Sequence, residues 1–208
     1  MKLLEGFLIS LNIFFISQIF DFVFEYDTLK KFSKEELYYE GLYSIILNIL
    51  IISPIIYSFG YDMIINDNAK FQLIHVFSII ILQNLGYYFA HYIMHKRFYH
   101  VHEFHHRFKK YILPSSSFAV SVSEYIFAYL LPLFLGSIIV NPNSHSFIIA
   151  SYIISIFNII IHTQTLKNSD WIPFLVSPKK HITHHEVKNR NYAAPLLDID
   201  LFLKKIFK

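Results

Sequence analysis

Five apolar stretches, at residues 3–24, 42–59, 71–90, 121–140 and 144–161, constrain this chain more than any other feature. Each approaches or reaches the roughly 20 residues with which a helix crosses a hydrocarbon core about 30 Å thick. None alternates with the two-residue period of a strand. Two of them contain a proline, Pro54 and Pro132, which a membrane helix absorbs as a kink. Only 16% of the 208 residues are charged, against about 25% in a soluble domain, which points to lipid as the main solvent. The first stretch is the least pure, with Glu5, Gln18 and Asp21. It lacks the basic start and the small-residue cleavage site of a signal peptide, so it is expected to be a span.

If all five stretches span, one side of the membrane receives residues 25–41, 91–120 and 162–208. Those segments hold every lysine and arginine of the 18 except Lys2 and Lys70. The positive-inside rule makes that side cytoplasmic. Buried helices of a soluble protein would show no such segregation. The expected architecture is an all-α, multi-pass membrane bundle of four to five embedded helices with a histidine-rich cytoplasmic-face cap. It forms a single domain over 1–208, with N-terminal helices over 1–90 and a histidine-rich region over 91–208. A bacterial inner membrane and the endoplasmic reticulum fit this topology equally. The net charge of +3 is too mild to imply nucleic acid as a partner.

The chain has no cysteine, which excludes thiolate metal sites and cysteine nucleophiles. It has twelve histidines, and eight of them form three clusters. The first is His91-Tyr-Ile-Met-His95, the second His102-Glu-Phe-His105-His106 and the third His181-Ile-Thr-His184-His185. Spacings of three and four residues place imidazoles on one face of a helix, aimed at a common point. His162 emerges from the last apolar stretch on the same side. So many imidazoles without metal would crowd polar groups into a poorly solvated place, and metal ions would use their lone pairs. Eight or nine nitrogens exceed what one ion takes, so two metals are expected. Imidazole suits zinc, copper, iron and nickel, and ligand type alone does not choose among them.

The order and flanks of these clusters resemble the fatty acid hydroxylase / sterol desaturase superfamily of integral-membrane oxygenases, over residues 88–207. The run of HxxxH, HxxHH, a lone histidine after a membrane hairpin, and a second HxxHH is present in order. Pro114 and Glu124 follow the second cluster, Ser177-Pro178 precedes the third, and Asn191-Tyr192, Leu197 and Asp200 stand near the end. There are departures. Ala193 stands for a usual glycine, Ile199 for a usual tryptophan, no terminal Gly-Thr follows, and the gap between His95 and His102 is short. The resemblance implies two iron ions held by His91, His95, His102, His105, His106, His162, His181, His184 and His185. It implies dioxygen as co-substrate and hydroxylation or desaturation of a sterol, fatty acid, sphingolipid or ether lipid in lipid biosynthesis. Nothing in the chain resembles a haem domain, a flavin site or a dinucleotide fingerprint. Electrons are therefore expected from an external donor, a cytochrome b5-like protein or a ferredoxin with its reductase.

Two other functions use the same histidines. A membrane zinc hydrolase would show HExxH with the glutamate as base, and the spacing here does not match. A non-catalytic metal or haem carrier would place its histidines in mid-span. Of the remaining residues, Glu124 is a candidate to orient a ligating imidazole. His75, inside the third stretch, is a candidate to contact a ligand or the substrate path. His100 and His145 fit no cluster, and Tyr87, Tyr88, Tyr92 and Trp171 suit an interfacial aromatic belt.

Overall fold

The computed structural model describes residues 2–206. Lys208, assigned above to the basic side, and Phe207, where the resemblance ends, lie outside the described residues. The helices are α1 (Lys2–Phe24), α2 (Tyr26–Phe32), α3 (Glu36–Ile64), α4 (Leu73–Arg97), α5 (Tyr99–His106), α6 (Val122–Val140), α7 (Ser144–Ile161), α8 (Pro178–Val187) and α9 (Ile199–Ile206). Five of them, α1, α3, α4, α6 and α7, are long and apolar enough to cross a membrane. Among the described residues the only β pairing is an isolated bridge between Leu175 and Leu197.

The five spans fall where the apolar stretches place them, with one consequential extension. Helix α4 continues past residue 90 to Arg97, so His91 and His95 ride on a spanning helix. No breaker occurs in residues 91–97, and His95, Lys96 and Arg97 oppose the negative end of the helix dipole in the last turn. Helices α3 and α6 each contain a π-helical stretch, Ile46–Ile52 and Tyr125–Leu130. Each stretch ends two residues before a proline, Pro54 or Pro132. A proline ring would strike the carbonyl four residues earlier in a regular α-turn, and the wider turn relieves that clash.

Small residues let the spans approach. A Cβ on Gly86 of α4 would lie 2.7 Å from the Pro132 Cβ, and one on Gly136 of α6 would lie 3.1 Å from the Leu82 Cβ. Close backbone approach of this kind replaces the hydrophobic drive that lipid removes. Asp21, buried on α1, accepts from the Ser115 backbone N–H at 2.8 Å and from its hydroxyl at 2.5 Å, which ties α1 to the segment after α5.

After α8 the chain turns back into the bundle without regular structure. Asn84, fully buried on α4, accepts from the Leu196 and Leu197 N–H groups at 3.0 and 2.9 Å. Leu196 packs against Val76, Ile79, Ile80 and Ala150, and its carbonyl accepts from the Val176 N–H at 2.8 Å. Irregular backbone survives at such depth only where protein satisfies its polar groups. Asn84→Leu would leave the buried Leu196 N–H unpaired, at about 1–3 kcal/mol, and the half-buried Leu197 N–H with it. The expected outcome is a lower melting temperature in detergent and faster proteolysis within residues 189–198. Wild-type behaviour in both measurements would show that Asn84 is not the anchor.

Candidate metal centre

The end of α4, the whole of α5, the residue after α7, and α8 meet at one end of the bundle. They bring all nine candidate histidines together, in two sets. His91, His95, His102, His106 and His184 form set one, and His105, His162, His181 and His185 form set two; within each, the facing ring nitrogens all lie within 4.8 Å of one another. All are buried except His95, which is half-buried.

The sets cut across the sequence clusters in a regular way. Successive helical residues are about 100° apart, so i+4 lies about 40° to one side of i and i+3 about 60° to the other. On α5 the i, i+4 pair His102 and His106 belongs to set one, and His105 between them to set two. On α8 the pair His181 and His185 belongs to set two, and His184 to set one. Each HxxHH motif thus gives a pair to one set and a single imidazole to the other. Set one is completed by the i, i+4 pair of α4, and set two by His162 alone.

The ring nitrogens face each other closely. His91 Nε2 lies 2.9 Å from His102 Nε2 and 3.2 Å from His95 Nε2, and His106 Nε2 lies 3.0 Å from His102 Nε2. In set two, His162 Nε2 lies 3.0 Å from His181 Nε2 and 3.3 Å from those of His105 and His185. The opposite nitrogens decide what these contacts are. His91 Nδ1 donates to the Tyr192 carbonyl at 2.7 Å, His184 Nδ1 to that of Arg190 at 2.8 Å, and His162 Nδ1 to that of Asn158 at 2.7 Å. His105 Nδ1 makes a longer bond, 3.4 Å, to the Ala119 carbonyl. His102 Nδ1 hydrogen-bonds the Glu124 carboxyl group at 2.6 Å. A carbonyl only accepts, so on His91, His105, His162 and His184 the proton of the neutral ring sits on Nδ1 and the lone pair on Nε2.

His105 and His162 therefore aim lone pairs at each other across 3.3 Å, which is repulsive unless a cation lies between the rings. Two nitrogens about 2.1 Å from a shared ion, at right angles around it, lie about 3 Å apart. The observed spacings fit that requirement in both sets. Burial, reinforced by neighbouring imidazoles, pushes His102, His105, His181 and His185 well below the ordinary imidazole value. Burial also brings His162 and His184 down to about 4. These rings stay neutral and able to donate lone pairs through the physiological range. As pH falls through the ordinary value near 6.5, the unfolded chain takes up protons that the folded site refuses, so acid destabilises the fold.

Other candidates fall elsewhere. Glu124 reaches the cluster through His102. His75 sits in the first turn of α4, sixteen residues before His91 and thus about 24 Å away along the helix, and joins neither set. His100 and His145 are exposed. The residues sequence reasoning missed are the carbonyls of Ala119, Asn158, Arg190 and Tyr192, because a backbone acceptor carries no side-chain signature. Ala193, in place of glycine, lies outside the left-handed region, so this departure introduces no strain.

Glu124→Leu removes the acceptor that fixes the His102 ring, and such changes typically cost 10–100-fold in metal affinity. Glu124→Gln keeps an acceptor and is expected to lose less. Metal titration of purified protein checks the order, and equal affinities in all three proteins would remove Glu124 from this role.

No curated protein and no solved structure matches the chain. A family model, fatty acid hydroxylase, matches residues 76–204, a stretch that begins in α4, ends in α9 and contains every histidine of both sets. This chain belongs to the fatty acid hydroxylase family.

Proposed function

We propose that the protein is an integral-membrane oxygenase that hydroxylates or desaturates a lipid, with one iron ion in each histidine set. The observation that carries this reading is the convergence of Nε2 lone pairs in two adjacent all-imidazole sets at the end of a membrane bundle. When bound, the irons would supply the reduction of dioxygen that oxidises an unactivated C–H bond, a step outside acid–base chemistry.

The chain's own residues do the rest. Glu124 and the carbonyls of Tyr192, Arg190, Asn158 and Ala119 hold five rings in the ligating tautomer. Eight buried imidazoles keep bulk water from the centre, which protects a strong oxidant from side reactions. The half-buried His95 gives the one solvent-facing edge of the sets, flanked by Tyr99, whose hydroxyl accepts from Lys188 at 2.6 Å. An external donor, a cytochrome b5-like protein or a ferredoxin, would deliver electrons from the basic side, which we assign to the cytoplasm. The whole chain, 1–208, acts as one domain in this reading. A zinc hydrolase is less well supported, because both sets consist of histidine alone and offer no carboxylate at the position of a general base.

Metal analysis of detergent-purified protein tests the proposal. About two irons per chain are expected, together with a hydroxylated or newly unsaturated lipid in cells that express the protein. His184→Ala and His185→Ala, adjacent in sequence but in different sets, should each lower the iron content to about one and abolish lipid oxidation. One zinc per chain with an unchanged lipidome would overturn the proposal.

A further inference from the structure

Halfway along α1, Asn12 is exposed where the surrounding solvent is hydrocarbon. It lies ten residues from Lys2 and twelve from Phe24, so at 1.5 Å per residue it is about 15 and 18 Å from the ends of the span. Tyr152, midway along α7, stands beside it, and the Asn12 Nδ2 donates to its hydroxyl at 3.2 Å. Among the described residues the Asn12 carboxamide makes no other hydrogen bond. A carboxamide carries two N–H donors and an accepting oxygen, so one donor and the acceptor are left over. Lipid tails supply a partner for neither.

The exposed face around Asn12 has a regular pattern. Leu8, Phe15, Ile19 and Phe22 are exposed, and the series 8, 12, 15, 19, 22 steps alternately by four and three residues. That is the 3.5-residue period with which one helix packs along another in a two-stranded coil. Gly6, Ser10, Ser17 and Asp21, the buried residues of α1, lie on the opposite face, so the seam is turned away from the bundle. A lone asparagine within such a seam specifies register and strand number, because its amide has to meet another polar group. Between membrane helices, hydrogen bonds of this kind and side-chain packing drive association.

The left-over groups of Asn12 are complementary to themselves. Copies of one chain cross the membrane in the same direction, so a two-fold axis along the membrane normal sets α1 parallel to α1 and each seam residue opposite its counterpart. About that axis the second N–H of each Asn12 donates to the Oδ1 of the other, and both amides are satisfied. A foreign partner would have to bring a matching polar group to the same depth.

We infer that the protein is a homodimer joined along α1 by a reciprocal Asn12 pair at mid-membrane, with Leu8, Phe15, Ile19 and Phe22 packed against their counterparts. No histidine of either set lies on α1, so the interface leaves both sets whole and is independent of the lipid-oxidation reading.

The chain has no cysteine, so a single introduced thiol reports on its own surroundings. Leu8→Cys and Phe15→Cys proteins, dilute in phosphatidylcholine vesicles and oxidised with copper phenanthroline, are expected to form disulfide-linked dimers. Phe59→Cys and Phe89→Cys, at exposed positions of α3 and α4, are expected to stay monomeric. Adding Asn12→Leu should lower the cross-linked fraction about tenfold, and Asn12→Gln, which keeps a donor and an acceptor, should restore most of it. Single-molecule photobleaching in the same vesicles should count two chains per particle when Asn12 is present. The two seam thiols are tested with Asn12 in place, so they probe the interface whether or not the leucine variant folds. One chain per particle, equal cross-linking at all four positions, or cross-linking indifferent to Asn12→Leu would overturn the proposal. Single chains in vesicles together with a seam cross-linked to a different protein in native membranes would overturn it as well.

Discussion

The hydrogen bonds that pin Nδ1 on His91, His102, His105, His162 and His184 are the constraint on which the rest depends. By fixing where the carbonyl-bound rings keep their protons, they turn Nε2 lone pairs inward, where those of His105 and His162 repel each other at 3.3 Å. A fold that builds such repulsion into its interior has to overdetermine it from outside. The donors' partners come from four places: the start of α6, the last turn of α7, the segment after α5 and the irregular chain after α8. No single element can relax without releasing an imidazole, and this is why the site needs the whole bundle.

Two features of the fold serve that requirement. The extension of α4 to Arg97 carries the pair His91 and His95 rigidly out of the membrane-spanning bundle. The re-entrant segment after α8 supplies the Tyr192 and Arg190 carbonyls, and it is itself held by Asn84, seven residues before His91 on the same helix. The His91–His95 pair and the acceptor of His91 therefore hang from one helix, so their separation is insulated from motion elsewhere. Asp200 strengthens this arrangement by accepting from the Ala193 N–H at 2.7 Å.

Much of this was legible in the sequence, for identifiable reasons. Span positions follow from apolar length alone, and the nine histidines follow from helical spacing together with the side of the membrane on which the spans leave them. Glu124 was visible because a lone carboxylate at the start of an apolar stretch is conspicuous. His75 looked equally conspicuous, yet its place in α4 sets it a whole span from the cluster, since burial in a membrane helix does not say which end is near the site. The division of the histidines into sets was illegible, because it depends on the rotation of α5 against α8. The acceptor carbonyls were illegible because every residue has one.

The pairing rule within the HxxHH motifs explains why the spacing itself is informative. With strict i, i+4 spacing alone, α5 would serve only set one and α8 only set two. Adding one residue at i+3 turns a single imidazole toward the neighbouring set, so each of α5 and α8 touches both. His106 and His185, from the two helices and from different sets, have ring centroids only 5.0 Å apart. The two sets are thus mechanically joined through rigid helical turns rather than through a flexible bridge. Neither set can shift position without carrying the other.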